Sequence, residues 1–205
     1  MAHFVEIHPV NPQERLVEKV ASRLRAGEVG AIPTDSGYAV VCSMANKDGL
    51  ERIRRIRQVG ATHHFTLLCH NFAQLGQLVI VDNSEFRLIK SLTPGPYTFI
   101  LKGTKEVPRM TLHPKKATVG VRIPDHKIVQ AILESLGEPL LCSTLILPGE
   151  DEPLSEGWVV DEKLGKVLDV IVDGPCGQDG PTTVINFVKG HISRQGAGDT
   201  TGIDF

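Results

Sequence analysis

The chain has 205 residues, with 22 Lys+Arg against 24 Asp+Glu, a formal net charge of −2 and 41% hydrophobic residues. That length and apolar content suit one globular domain over 1–205, and the even spread of charged and apolar residues excludes disorder and fibrous repeats. A near-neutral balance also argues against a protein that lives on phosphate contacts alone, because such proteins carry a large basic excess.

The longest mostly apolar stretch, Pro139 to Leu147, is interrupted by Ser143 and Thr144 and falls far short of the roughly 18 residues of a membrane span. The opening Met1-Ala-His-Phe-Val-Glu-Ile-His lacks the basic patch and apolar core of a secretory signal, so the expected location is the cytoplasm. Cys42, Cys69, Cys142 and Cys176 stand far apart with no C-x-x-C pair, and they read as reduced, partly buried thiols. No base or orienting group is identifiable beside Cys69 or Cys142, so neither reads as a nucleophile.

Asn11-Pro12-Gln13-Glu14 predicts the capped start of a helix through Leu16, Val17, Val20 and Leu24 to Gly27. Val29–Pro33 and Tyr38–Cys42 predict two buried strands flanking the hydroxyl-rich turn Thr34-Asp35-Ser36-Gly37. From Asp48, the spacing of Leu50, Ile53 and Ile56 among Arg52, Arg54, Arg55 and Arg57 predicts an amphipathic helix with a basic face. Phe65–Cys69 reads as a strand, Asn83-Ser84-Glu85 as the start of a helix ending before Pro94, and Tyr97–Leu101 as a strand. Thr118–Ile123 is a strand, followed by a helix capped by Asp125 and ending at Gly137, and then the strand Leu140–Leu147. A loop holding Trp158 leads to a short helix near Asp161–Lys166, a strand at Leu168–Val172, and a final pair at Thr182–Val188 and His191–Arg194. This alternation predicts an α/β fold (α+β in some schemes), with helices layered on a parallel or mixed sheet.

The common nucleotide-binding, serine-hydrolase and metalloprotease signatures are absent from the chain. What remains is a scatter of hydroxyls and cations at predicted strand ends: Thr34, Ser36, Arg57, Thr118, Arg122, Ser143, Thr144, Thr182, Thr183 and Arg194. Gathered in one crevice they suit an anionic ligand, with arginines neutralising phosphate and hydroxyls fixing its oxygens. His63-His64 with His70 invites a metal, but the spacing fits no closed site. Adjacent histidines on a strand or loop diverge, which favours a solvent-facing or ligand-facing loop for His63-His64 and leaves no metal site expected.

Four ordered blocks carry a resemblance: Pro33-Thr-Asp-Ser-Gly-Tyr38, Thr93-Pro-Gly-Pro-Tyr-Thr-Phe-Ile-Leu101, Thr118-Val-Gly-Val-Arg-Ile-Pro-Asp-His126 and Pro181-Thr-Thr-Val-Ile185. They resemble the YrdC-type threonylcarbamoyl-adenylate synthases, and Gln58, Phe65-Thr-Leu, Asn83 and Gly103–Pro108 resemble the YciO-like branch. The resemblance implies a twisted mixed sheet flanked by helices around a large concave basic cavity. It implies ATP, L-threonine and bicarbonate as substrates, Mg2+ as helper, and threonylcarbamoyl-AMP and pyrophosphate as products, feeding a tRNA adenosine modification. Carried over by position, Arg57, Arg122, Ser143, Thr144 and Arg194 would bind ATP and its phosphates. Thr34, Ser36, His64, Thr118, Thr182 and Thr183 would bind substrate.

Two departures stand out. The family's K-x-R becomes Arg57-Gln58-Val59, and its S-A-N becomes Thr144-Leu145-Ile146. Each loss of a charged hydrogen bond costs about 1.5–3 kcal/mol, so the pair implies weak or altered synthesis, slower by roughly two to four orders of magnitude. A rival reading is a module for double-stranded RNA, tRNA or rRNA that uses Arg52–Arg57 with Lys102, Lys105, Arg109, Lys115 and Lys116.

Overall fold

The computed structural model describes residues 1–205. The first half of the chain forms β1 (His3–Glu6), α1 (Glu14–Arg25), β2 (Gly30–Thr34), β3 (Gly37–Ser43), α2 (Lys47–Arg57), β4 (Thr66–Leu68), α3 (Phe72–Leu78), α4 (Asn83–Leu92) and β5 (Tyr97–Lys102). The second half forms β6 (Thr118–Arg122), α5 (Lys127–Leu136), β7 (Leu140–Thr144), α6 (Gly157–Leu164), β8 (Val170–Asp173), β9 (Thr183–Asn186) and β10 (His191–Arg194). All ten strands join one mixed sheet in the order β1-β8-β2-β3-β7-β4-β6-β5-β9-β10. The mixed α/β architecture expected from the alternating pattern is therefore present.

Side chains alternate across the sheet. On one face Ala31, Tyr38, Val40, Leu67, Phe99, Val119, Val121, Leu141 and Ile185 form a core with residues of α2, α3, α4 and α6. The opposite face divides in two. Val170, Val172, Ile32, Ala39, Val41 and Leu140 pack beneath Val20, Leu24, Ile128, Ile132 and Leu133 of the paired helices α1 and α5. Along β4, β6, β5 and β9 no helix covers the sheet, and the polar or small Thr66, Gly120, Arg122 and Thr98 stand among the aliphatic Leu68, Ile100 and Val184.

Several local expectations need correcting. Helix α1 starts later than Asn11-Pro12 suggested: its N-cap is Gln13, whose side chain accepts the His8 N–H instead of capping. Asp125 does not cap α5; the cap position is His126, and the Asp125 N–H donates to Asp35. Asp82, one residue before the expected start, caps α4 in a reciprocal box with Glu85. Trp158 lies in the first turn of α6, which begins upstream of Asp161, and its side chain is exposed. The spacing signal also missed β1, an edge strand with only Val5 buried, and α3, seven residues with only Leu75 and Leu78 buried. Elements so short carry too few buried positions to show a period.

Candidate functional site

The turn between β2 and β3 is bound into place by its own polar groups. Thr34 Oγ1 donates to the Gly37 carbonyl at 2.7 Å and accepts the Ser36 N–H at 3.0 Å. Gly37 has φ +88°, and a Cβ there would meet the Pro153 ring at 2.7 Å, so this corner requires glycine. The turn presents Asp35 and Ser36 to Arg122, which arrives from the end of β6. Arg122 is fully buried, ion-paired with Asp35, and donates to Ser36 Oγ at 2.8 Å. The other Asp35 oxygen accepts the Asp125 N–H at 2.9 Å. Burial pulls the Arg122 guanidinium down to about 10, which leaves it charged at neutral pH beside its carboxylate. Its Nε–H is buried and has no partner.

These groups floor a recess of ≈ 30 Å³, room for about one water-sized group, lined by Thr34, Ser36, Thr66, Thr98, Arg122, Cys142, Thr144 and Thr182 among others. Thr66, Thr98, Thr144 and Thr182 are shared with a wider cavity of ≈ 420 Å³. That cavity also takes in Arg57, His63, His64, Gly120, Ser143, Ile146 and Arg194, and no carboxylate lines it. Its far wall is a hydrogen-bonded file: Arg194 donates to the Thr182 carbonyl and to Thr182 Oγ1, each at 2.9 Å, and Thr182 Oγ1 meets Thr98 Oγ1 at 2.8 Å. A Cβ on Gly120 would reach Thr66 Oγ1 at 2.9 Å and fill the floor between Thr66 and Thr98.

The near wall comes from the C-terminus of α2 and the segment after it. Asn46 caps α2 by accepting the Gly49 N–H, and Gln58 ends it at φ 52°, so Arg57 stands on the last turn. Arg57 Nε donates to the Ile146 carbonyl at 2.9 Å, and Arg57 Nη1 donates to Ser143 Oγ. His63 Nε2 lies 3.0 Å from the same Ser143 oxygen. Burial first, then Arg57, His64 and Arg54, hold the His63 imidazole down at about 4, neutral at physiological pH. His64 diverges from it. Its Nε2 lies 3.2 Å from Thr118 Oγ1 and its ring stacks on His113, with centroids 5.0 Å apart. Burial, then His113, Lys116 and Lys189, lower its pKa. No group of three or more His, Cys, Asp or Glu side chains could hold a metal ion.

Of the residues singled out from the sequence, the structure brings Thr34, Ser36, Arg57, His64, Arg122, Ser143, Thr144, Thr182 and Arg194 into these two connected spaces. Thr118 stands behind His64. Thr183 points to the other face of the sheet, where Oγ1 donates to the Gly198 carbonyl at 2.7 Å and accepts the Gly196 N–H at 3.0 Å, and it does not line the cavity. Thr66, Thr98 and Gly120 were missed, and His63 was singled out only as part of a metal candidate. The first three share strand faces with Leu68, Ile100 and Arg122, so counting alternate residues outward from Arg122 and across the sheet would have found them.

Of the α2 cations only Arg57 enters the cavity. Arg52 pairs with Asp169 at 2.6 Å, and Arg54 pairs with Glu51 and lies over the Phe65 ring. A separate cleft of ≈ 540 Å³ is lined by Glu6, Glu156 and Asp173; it holds none of the candidate residues, and its carboxylates disfavour anions. Burial pushes the Cys142 thiol up to about 12 and raises that of Cys69, so both remain protonated.

The Sua5/YciO/YrdC family model, described as "Telomere recombination", matches residues 22–196. The uncharacterised protein YciO of Escherichia coli K12 is 46% identical over 201 residues, covering 97% of this chain and 98% of the other. The crystal structure of E. coli YciO superposes with a TM-score of 0.94, covering 98% of both chains. A threonylcarbamoyl-AMP synthase of Photobacterium profundum is 27% identical over 184 residues, covering 88% of this chain and 98% of its own. The crystal structure of P. abyssi Sua5 complexed with L-threonine shares the fold at a TM-score of 0.85 and 24% identity, over 96% of this chain and 57% of that one. No helix is long and apolar enough to cross a membrane.

Proposed function

The chain belongs to the Sua5/YciO/YrdC family, and from that premise we propose that its cavity binds ATP with L-threonine and bicarbonate and makes threonylcarbamoyl-AMP slowly or in altered form. One observation carries the reading. Two arginines line a carboxylate-free cavity, and a third, buried in the adjoining recess, keeps an unpartnered Nε–H. The ≈ 420 Å³ space falls in the usual range for a small-molecule site. Arg57 and Arg194 would take phosphate oxygens, and Ser143, Thr144 and Thr182 would orient them. The recess between Arg122, Thr34 and Ser36 would hold one small polar group of the second substrate.

In the reaction, a carbamate oxygen forms a bond to the α-phosphorus of ATP while the bond to pyrophosphate breaks. The residues would contribute alignment and charge neutralisation. The cavity lining has no carboxylate and does not fit a protein-held Mg2+, so no step is assigned to such an ion. Ile146 lines the cavity with hydrocarbon and gives only its carbonyl, to Arg57. Val59 stands outside the lining, so the second cation of the family pattern is not restored at that position. Both features favour a rate well below that of a synthase with the full pattern. The product would serve tRNA adenosine modification, as the resemblance implies.

The test is incubation with radiolabelled threonine, bicarbonate, ATP and Mg2+, following adenylate and pyrophosphate together, with Arg57→Ala as control. Slow product that vanishes in the control is expected. ATP saturation without product would move the reading to another acyl substrate. Failure to bind ATP, with RNA affinity that falls steeply with salt, would replace it with the RNA-binding module.

A further inference from the structure

The near wall holds a hydrogen-bond arrangement that phosphate binding alone does not require. Ser143 Oγ receives an N–H from Arg57 and lies 3.0 Å from His63 Nε2. A serine hydroxyl has one proton to give and two lone pairs. No other protein acceptor contacts it, so the arrangement that satisfies every atom has the Ser143 O–H donating to an unprotonated His63 Nε2. In this arrangement the hydroxyl is turned to His63, and the neutral His63 contributes no charge.

Resting on the phosphate-binding reading, we propose that His63 is a positioning residue that takes up a proton when an anion enters, which adds a cation and turns the Ser143 hydroxyl into the cavity. Once Nε2 carries a proton it donates to Ser143 Oγ, whose two lone pairs then serve His63 and Arg57. The only direction left for the hydroxyl proton is toward the bound oxygen. One protonation thus supplies a positive charge and a neutral donor at the same wall.

The charges around His63 set the direction of the effect. Arg57 and Arg54 of α2 and the adjacent His64 all disfavour its protonation. No carboxylate in the lining opposes them. An anion placed among Arg57, Arg194 and His63 offsets that repulsion, so binding raises the His63 midpoint, and by linkage the anion binds more tightly as pH falls toward the free value near 4. This places His63 beside Arg57 as a conditional second cation in a chain that carries Val59 in place of the family's second fixed one.

The ligand class is a phosphate or sulfate group. Sulfate is the cleaner probe, because it does not itself titrate across the useful range, and AMP tests the same wall with a nucleotide. The imidazole nitrogens of the full chain would be followed by NMR from pH 3.5 to 8, with and without sulfate, using His63→Gln to assign the His63 signal. The expected result is a His63 midpoint raised by at least one pH unit on sulfate binding. Sulfate affinity should strengthen up to tenfold per pH unit between the bound and free midpoints. In His63→Gln sulfate should still bind, more weakly, and the slope assigned to His63 should be gone. Sulfate binding that leaves the His63 midpoint unmoved would overturn the proton switch and leave the phosphate reading standing. No binding of sulfate or AMP to the parent at any pH would overturn both.

Discussion

One face of the sheet has two halves, and they differ in what their strands offer to it. Over β8, β2 and β3 it presents Val170, Val172, Ile32, Ala39 and Val41, and α1 and α5 close over it. Over β4, β6, β5 and the start of β9 it presents Thr66, Gly120, Arg122, Thr98 and Thr182 beside the aliphatic Leu68, Ile100 and Val184, and it stays open. Threonine and valine have nearly the same shape and similar strand preference, so the sheet continues unbroken across the boundary. Replacing a methyl by a hydroxyl removes the reason for a helix to dock there, because covering it would leave buried hydroxyls to be satisfied. The same backbone thus makes a core on one side and an open, largely polar cavity on the other.

The largest expected effect comes from the boundary between the halves. Arg122→Ala leaves the Asp35 carboxylate without its buried partner and should cost about 3–5 kcal/mol in urea denaturation; ligand binding should also be lost. Loss of only about 1 kcal/mol would mean the pair is not part of the foundation shared by both halves. Leu133→Ala, in the covered half, should cost about 2–5 kcal/mol, while the folded fraction keeps its ligand affinity. A matching loss of affinity would show that the halves are coupled.

Acid separates them in another way. The fold holds His63 well below the ordinary 6.5, at about 4, and burial lowers His64 and His126 too. The unfolded chain therefore takes up these protons first, so the histidines' contribution to stability is full above about 6.5, is lost between about 6.5 and 4, and changes no further below. Urea midpoints measured through that window should decline, less steeply in His63→Gln; an identical slope would show that the open half adds nothing to acid sensitivity.

Thr98→Val in the open half should change stability by no more than about 1 kcal/mol and weaken ligand binding two- to tenfold. Arg194 still satisfies Thr182 in that variant. A large loss of stability would mean the threonines are structural. The smallest effect should come from Arg52→Ala, which removes a partly exposed pair with Asp169: about 0–1 kcal/mol in stability and no change in ligand affinity. A drop in affinity there would extend the site beyond Arg57.

The division was half visible in the amino-acid order. Arg122 and the hydroxyls at the ends of β2, β7 and β9 could be picked out because charged or polar residues inside apolar strand patterns are unusual. Thr66 and Thr98 were hidden by their ordinary strand preference, and His63, in a loop with no period of its own, stood out only as one of a histidine pair. Thr183 shows the reverse error: its neighbour Thr182 faces the cavity, and alternation sends Thr183 to fasten the segment at Gly196 and Gly198 instead. Cap positions slipped by one or two residues at α1, α4 and α5 because a polar side chain near a helix start can be spent elsewhere. Gln13 serves His8.

The strand order also bears on how the molecule is made. Strand β8 lies between β1 and β2, while Thr182 and Arg194, which wall the cavity, come from still later in the chain. A chain emerging from the ribosome through β7 can join β2, β3, β7, β4, β6 and β5, but it lacks the strand that ties β1 to that sheet and the wall that completes the site. Its edges at β2 and β5 wait unpaired, open to the wrong neighbour. The far wall of the cavity therefore arrives after most of the sheet, and a chain stalled near residue 170 would lack both that wall and the β8 residues that close the two cores.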